Sequence, residues 1–156
     1  MSHYANLQTN ITDIDALVAA LCRVENRSGK NWVGRIETHT DAQHLYGYQG
    51  DRRPQKAHVI IRRHNVGGMA NDLGFVRGKD GKFQAIISEY DSRYYNAEWM
   101  GKLTTYYGVE KTKIELDAKG IKYKEGVDAS NGNCPTIEAF FEAPKKKQTA
   151  ATFFDN

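Results

Sequence analysis

The chain has 156 residues, 40% hydrophobic and 26% charged, which fits one folded domain with its own core and excludes a disordered or low-complexity protein. Its net charge of +3 permits contact with nucleic acid or a phosphorylated ligand without demanding it. No apolar run approaches the ~20 residues that span a bilayer, and the first residues lack the charged start and apolar core of a signal peptide, so a cytoplasmic protein is expected.

Residues His3 to Ile11 alternate in polarity and read as a first strand. Thr12, with Asp15 three positions on, reads as a capped helix start. Ile14, Leu17, Val18, Leu21 and Val24 then recur at helical spacing, predicting a helix to about Glu25 with Cys22 as a buried thiol. The second cysteine, Cys134, lies in a predicted loop, and without a C-x-x-C pair neither a zinc knuckle nor a thioredoxin-type site is expected. Trp32 to His39 can form a second strand. The polar stretch Thr40 to Gln55 reads as a loop, because it holds Gly47, Gly50 and Pro54 beside Arg52 and Arg53. Ala57 to Arg63 is the next strand, followed by a loop through Gly67 and Gly68.

Residues 72–90 are expected to form the centre of the sheet. Two runs of β-formers flank Asp80-Gly81, a pair suited to a two-residue type I′ turn. That register sets Phe75 opposite Ile86 and Val76 opposite Ala85, with apolar residues on both faces. After a turn near Asp91–Asn96, a helix begins at Ala97 with Trp99, Met100, Leu103, Tyr106 and Tyr107 on its apolar face. Gly108 is one possible stop, and Gly120, as a left-handed C′ residue, is the better one. Strands at Ile121–Val127 and Thr136–Ala143 complete the order β-α-β-β-β-β-α-β-β. The expected class is α+β, a mainly antiparallel sheet with two helices packed on one face. Residues 1–144 make a single domain, and 145–156 a basic then aromatic tail.

The opening Met1-Ser2-His3-Tyr4, with Leu7, Thr9, Ile11, Asp13, Leu17 and Ala20-Leu21, resembles an uncharacterised conserved family. That family is encoded in algal plastid genomes, cyanobacteria and some bacteriophages. Gly47-Tyr48-Gln49-Gly50, Asp72-Leu73-Gly74-Phe75, and the helix up to Gly120 with its following strand resemble further signatures of it. The resemblance implies a small α+β cytoplasmic protein and brings no activity or catalytic residues. The polar segment from Arg27 to Tyr46 and the end after Ala143 depart from the family pattern.

The densest recognition chemistry lies between Tyr46 and Arg53. Glycines let a ligand approach the backbone, Arg52 and Arg53 can fork onto a phosphate or carboxylate, and Tyr46 or Tyr48 can stack on a base. With Gln49 and Arg62 these form the candidate ligand-binding set, beside which Arg63, His64 and Arg77 could extend a basic surface. Phe153 and Phe154 are the candidate partner-docking residues. His39, His44, His58 and His64 are scattered without metal-ligand spacing, so no metal or cofactor is expected. No G-x-S-x-G, P-loop or G-x-G-x-x-G occurs, and no catalytic residue stands out. The leading expectation is a non-enzymatic interaction protein, an adaptor or inhibitor of a larger phage or bacterial machine with a protein partner. The alternative is a binder of nucleotides or single-stranded nucleic acid through the Tyr/Arg loop, and a hydrolase ranks third. An exposed strand edge would favour a homodimer.

Overall fold

The computed structural model describes residues 3–141 and 147–148. It contains β1 (Tyr4–Gln8), α1 (Ile14–Leu21), β2 (Glu37–Tyr46), β3 (Arg52–Ile61), the one-turn α2 (Arg63–Val66), β4 (Leu73–Arg77) and β5 (Phe83–Ser88). The long α3 (Ala97–Ala118), β6 (Lys122–Asp128), β7 (Cys134–Phe140) and β8 (Lys147–Gln148) follow. Five strands form an antiparallel sheet in the order β1-β5-β4-β3-β2, and the last three form a second sheet, β6-β7-β8. The α+β class and the expected order of the main elements hold. The second sheet, α2 and β8 are additions that short-range patterning did not reveal.

The central position of the β4–β5 hairpin follows from its sequence. Phe75, Phe83, Ala85 and Ile87 bury one face against Leu17 and Leu21 of α1 and Trp99 and Leu103 of α3. Ile86 buries the other face with Leu45, Ala57 and Ile60. The turn differs from expectation: Phe75 pairs with Ala85 and Val76 with Gln84, one residue off the type I′ register. Gly78 N–H donates to Lys82 C=O (2.8 Å) and Gly81 N–H to Gly78 C=O (3.0 Å), while Gly81 alone of the pair takes positive φ, +82°. This is a three-residue loop, a type I turn closed by a left-handed glycine. Asp80 stays right-handed because its carboxylate accepts from Lys82 N–H at 3.0 Å, a local bond that holds the turn.

The largest correction concerns Trp32 to Gln55. Trp32 is in no strand. It is fully buried among the helices, its ring 5.9 Å from those of Tyr95 and Trp99, and its indole N–H donates to Asn65 C=O. The predicted loop is instead most of β2 and the start of β3. Its polarity reflects an edge position, since β2 has one neighbour and only Leu45 is fully buried along it. Shifts of register between Thr38 and Gln43 and between His44 and Tyr46 hide the alternation that would mark a strand. Pro54 lies in the second of these irregular stretches, where the ladder can do without its missing N–H.

The helix ends are set by side chains. Asp13, rather than Thr12, caps α1 by accepting from Ala16 N–H (3.1 Å), and the helix stops at Leu21 with Cys22 as a half-buried C-cap. Asn96 caps α3 through Trp99 N–H (3.1 Å). At the other end Gly120 (φ +67°) donates to Asp117 C=O and Ile121 to Leu116 C=O, so Gly120 is the stop and Gly108 lies inside the helix. The second sheet rests on this end of α3, with Ile137 and Ala139 against Val109 and Leu116. Among the described residues no helix is long and apolar enough to cross a membrane.

Candidate functional site

The strand ends around residues 46–52 and 62–72 meet at one corner of the large sheet. Between β2 and β3 the chain turns through Gly47-Tyr48-Gln49-Gly50-Asp51. Gly47 N–H donates to Asp51 C=O (2.8 Å), Gly50 N–H donates to Gly47 C=O (2.9 Å), and Gly50 has φ +80°. This repeats the bonding and the left-handed glycine of the Gly78–Lys82 turn, so the glycines that suggested a ligand loop make a tight hairpin tip.

What distinguishes this tip is its support. Asp72, 1% exposed, accepts from Tyr46 N–H (2.7 Å) and Arg62 Nη1 (2.8 Å) through Oδ2, and from Arg63 N–H (2.7 Å) through Oδ1. Its own N–H donates to Tyr46 C=O at 2.9 Å. One residue earlier, Asn71 Oδ1 accepts from Tyr48 N–H (2.9 Å), and Arg63 Nη1 donates to Tyr48 C=O (3.0 Å). Asn71 is fixed in turn by Asp91 Oδ2 and Ser88, all three buried. Ser88 Oγ also donates to Asp91 Oδ2 (2.7 Å), and at 1% and 3% exposure this serine–carboxylate contact orients Asn71 and offers no accessible nucleophile.

Arg62 bridges two carboxylates. Its Nε and Nη2 fork onto Glu37 at 2.8 and 2.9 Å while Nη1 reaches Asp72 and the His44 carbonyl. Hydrogen bonds from Arg62 hold the Glu37 carboxyl below its ordinary pKa, with His39 Nε2 at 2.9 Å adding to the effect. Glu37, and then Asp72, raise the pKa of Arg62. On the opposite face Tyr4 donates its hydroxyl to Asp72 C=O (2.8 Å), and burial followed by the Asp72 charge pushes its pKa up.

The six candidate ligand residues are therefore divided. Tyr46, 38% exposed, lies with its ring 5.7 Å from the Arg62 guanidinium and opposite the exposed Arg52 in the ladder. Tyr48 is half-buried and Gln49 exposed at the tip. Arg53, expected to fork beside Arg52, is 8% exposed and stacks 5.3 Å from the Tyr4 ring, because successive strand residues face opposite sides. Arg62 is held inside the ionic bridge. Tyr46, Gly50, Arg62, Arg63, His64 and Asp72 line a recess of about 300 Å³. Arg77 does not join them and lies by His39 and His58 in a separate cleft of about 420 Å³. There the His58 ring nitrogen Nδ1 accepts from Arg77 N–H (3.0 Å), and burial, then Arg77, lower the His58 pKa. Among the described residues no group of three or more His, Cys, Asp or Glu side chains could hold a metal. Phe153 and Phe154 lie outside the described residues.

Sequence reasoning missed Glu37, Asn71 and Asp72 as the support of this corner. Asp72 heads one of the stretches that carried the resemblance, and Gly47–Gly50 is another. The two meet through the Tyr46–Asp72 and Tyr48–Asn71 bonds. Neither a curated protein nor a solved structure matches the chain. A family profile described as a protein of unknown function (DUF1257) matches residues 35–135, which run from just before β2 to the start of β7 and include all of this corner except Tyr4. The chain thus belongs to the DUF1257 family of proteins of unknown function.

Proposed function

We propose that this is a non-enzymatic interaction protein that presents the Gly47–Asp51 tip, with Tyr46, Tyr48, Gln49 and Arg52, to a protein partner. The observation that carries this reading is the contrast between an exposed tip and the buried groups that hold it. A tip fixed from below by Asn71, Asp72 and Arg63 loses little conformational freedom on binding, so more of the contact energy remains as affinity. Exposed tyrosine, glutamine and arginine on such a tip are residue types suited to protein recognition. An adaptor or inhibitor acting on a larger machine in a bacterial or phage-infected cytoplasm fits this role, in line with the resemblance to plastid, cyanobacterial and phage proteins.

The recess lined by Tyr46, Arg62, Arg63 and His64 favours a second reading, a binder of nucleotides or single-stranded nucleic acid. It ranks below the first because Glu37 and Asp72 already oppose the Arg62 charge, which weakens its pull on a phosphate.

The deciding experiment is affinity capture from a native host with the full chain and with a Gln49→Ala, Arg52→Ala double variant. A partner captured by the wild type and lost by an equally stable variant supports the tip. A partner held equally by both removes it. A thermal shift with one nucleotide of a panel, or single-strand binding that falls steeply with salt, transfers the site to the second reading. Turnover of a defined metabolite overturns both.

A further inference from the structure

The large sheet has two edges, and they differ. β2, at one edge, carries Glu37 and Asp41 and breaks its ladder with two shifts of register, devices that keep a strand edge from pairing with another chain. β1, at the other, has no charged residue and no proline from Tyr4 to Gln8, and it pairs with β5 in unbroken register. Among the described residues nothing pairs with its outer side. Ala5 to Gln8 are exposed, Leu7 at 40%.

The backbone of this edge is presented, not hidden. His3 C=O accepts from Glu89 N–H (2.8 Å). Backbone direction alternates along a strand, so Ala5 and Leu7 bond inward to Ile87 and Ala85, while Tyr4, Asn6 and Gln8 turn N–H and C=O outward. The Tyr4 hydroxyl donates to Asp72 C=O (2.8 Å) and the Asn6 amide to Gln84 Oε1 (3.0 Å), so both side chains lean back over their own sheet and leave the edge clear. Ala5 and Leu7 share the helix side with Ile87 and Ala85. There Leu7 lines a groove of about 840 Å³ between β1 and α3, together with Ile11, Met100 and Gly101.

We propose that β1 is a homodimer interface, in which it pairs antiparallel with β1 of a second copy and joins the two five-stranded sheets into one. A two-fold axis sets one surface against itself, so a strand that serves both sides must suit itself. With the axis at Asn6, Asn6 meets its counterpart, Tyr4 meets Gln8, and Ala5 meets Leu7. Tyr4, Asn6 and Gln8 are the residues whose backbone faces outward, so each of their pairs exchanges both of its hydrogen bonds. An axis at Tyr4 or Gln8 keeps this parity but forfeits part of the overlap. On the helix side the small Ala5 meets the larger Leu7, which covers Leu7 and adds a wall to each groove. No charge is set against its like, since the strand holds none. The charged and irregular β2 stays at the outer ends, with the Gly47–Asp51 tip, so the dimer does not depend on what that tip binds.

The test begins with sedimentation equilibrium of the full chain from low to high micromolar concentration. A monomer–dimer equilibrium is expected, and a monomer throughout overturns the proposal, leaving the edge to a different strand. Asn6→Pro removes an outward N–H that β5 does not use and is expected to raise the dissociation constant about ten-fold or more. Leu7→Lys should do the same without altering the backbone, and Ala5→Glu added to it sets opposite charges across the axis and should recover the dimer. A dimer that both single variants leave intact belongs to another surface and overturns the assignment. Register is read in a Cys22→Ser, Cys134→Ser background. A thiol from Asn6→Cys lies with its Cα about 5.5 Å from its counterpart's, within disulfide reach, whereas one from Gln8→Cys lies about 14 Å away. With diamide as oxidant, Asn6→Cys is expected to form the interchain disulfide about ten-fold faster than Gln8→Cys. Equal rates, or no interchain bond, overturn the pairing.

Discussion

Removing the Asp72 carboxylate tests whether the tip is held in the way its contacts imply. Asp72→Ala orphans two backbone donors, Tyr46 N–H and Arg63 N–H, and leaves Arg62 with Glu37 alone. A buried donor left without its acceptor costs about 1–3 kcal/mol, and breaking one side of a buried ion pair costs about 3–5 kcal/mol. These losses share a single carboxylate and do not add. Arg62 also keeps a partner and some solvent at 29% side-chain exposure, so the expected loss is about 3–5 kcal/mol in all. In a domain of this length that is a drop in Tm on the order of 10 °C. Asp72→Asn keeps one acceptor and turns an amide N–H₂ toward another donor, and should cost about 1–3 kcal/mol. Urea denaturation, with the m-value compared between variants, gives the energy. Amide exchange at Tyr46 and Arg63 gives the location. A loss below about 1 kcal/mol for Asp72→Ala, or a larger loss with both amides as protected as in the wild type, would refute the assignment of Asp72 as the anchor of the tip.

Other substitutions probe separate links. Gly74→Ala would set its Cβ 2.6 Å from Ala57 Cβ and 3.0 Å from Leu45, an overpacking worth about 1–3 kcal/mol; adding Ala57→Gly should recover part of it in denaturation curves, and strict additivity would count against the contact. Gly81→Ala forces a Cβ into the left-handed region at φ +82° and should cost about 1–2 kcal/mol, with Gly81→Asn costing less by thermal denaturation. Glu37 has a folded pKa depressed by Arg62, so its share of stability is present above the unfolded carboxylate value of about 4.3 and is lost as pH falls through the lower folded value. Glu37→Gln should therefore flatten the acid side of a denaturation-midpoint profile between pH 3 and 6 and leave its shape near pH 7 unchanged.

The central hairpin was legible because burial on both faces leaves a direct trace. Phe75, Phe83, Ala85, Ile86 and Ile87 are apolar whichever way they point. Gly120 was legible for a comparable reason, since few residues other than glycine end a helix in that conformation. β2 was not, because an edge strand with one buried residue and two register shifts looks like any polar stretch. Trp32 was misleading, because a buried aromatic in a loop carries the same local pattern as the start of a strand. Of the candidate site, Tyr46, Tyr48, Gln49 and Arg52 could be named from residue type. The separation of Arg53 from Arg52 by face, and the binding of Arg62 to Glu37, depend on partners 25 and more residues away in sequence or on the far side of the sheet.

The two glycine hairpins show where such reading ends. Gly47-Tyr48-Gln49-Gly50-Asp51 and Gly78-Lys79-Asp80-Gly81-Lys82 share spacing, hydrogen bonds and a left-handed second glycine. In the second the turn bonds to itself, through Asp80 and Lys82 N–H, and its role is to join two central strands. In the first the backbone of Tyr46 and Tyr48 is gripped by Asn71, Asp72 and Arg63, which arrive from the end of β3 and the approach to β4. A turn needed only for connection gains nothing from buried carboxylate and amide side chains placed beneath it, and desolvating those groups carries a cost. That cost falls on one of two locally equivalent turns, and it fixes the exposed Tyr46 and the half-buried Tyr48 beside the exposed Gln49, so the support is best understood as serving what those side chains contact.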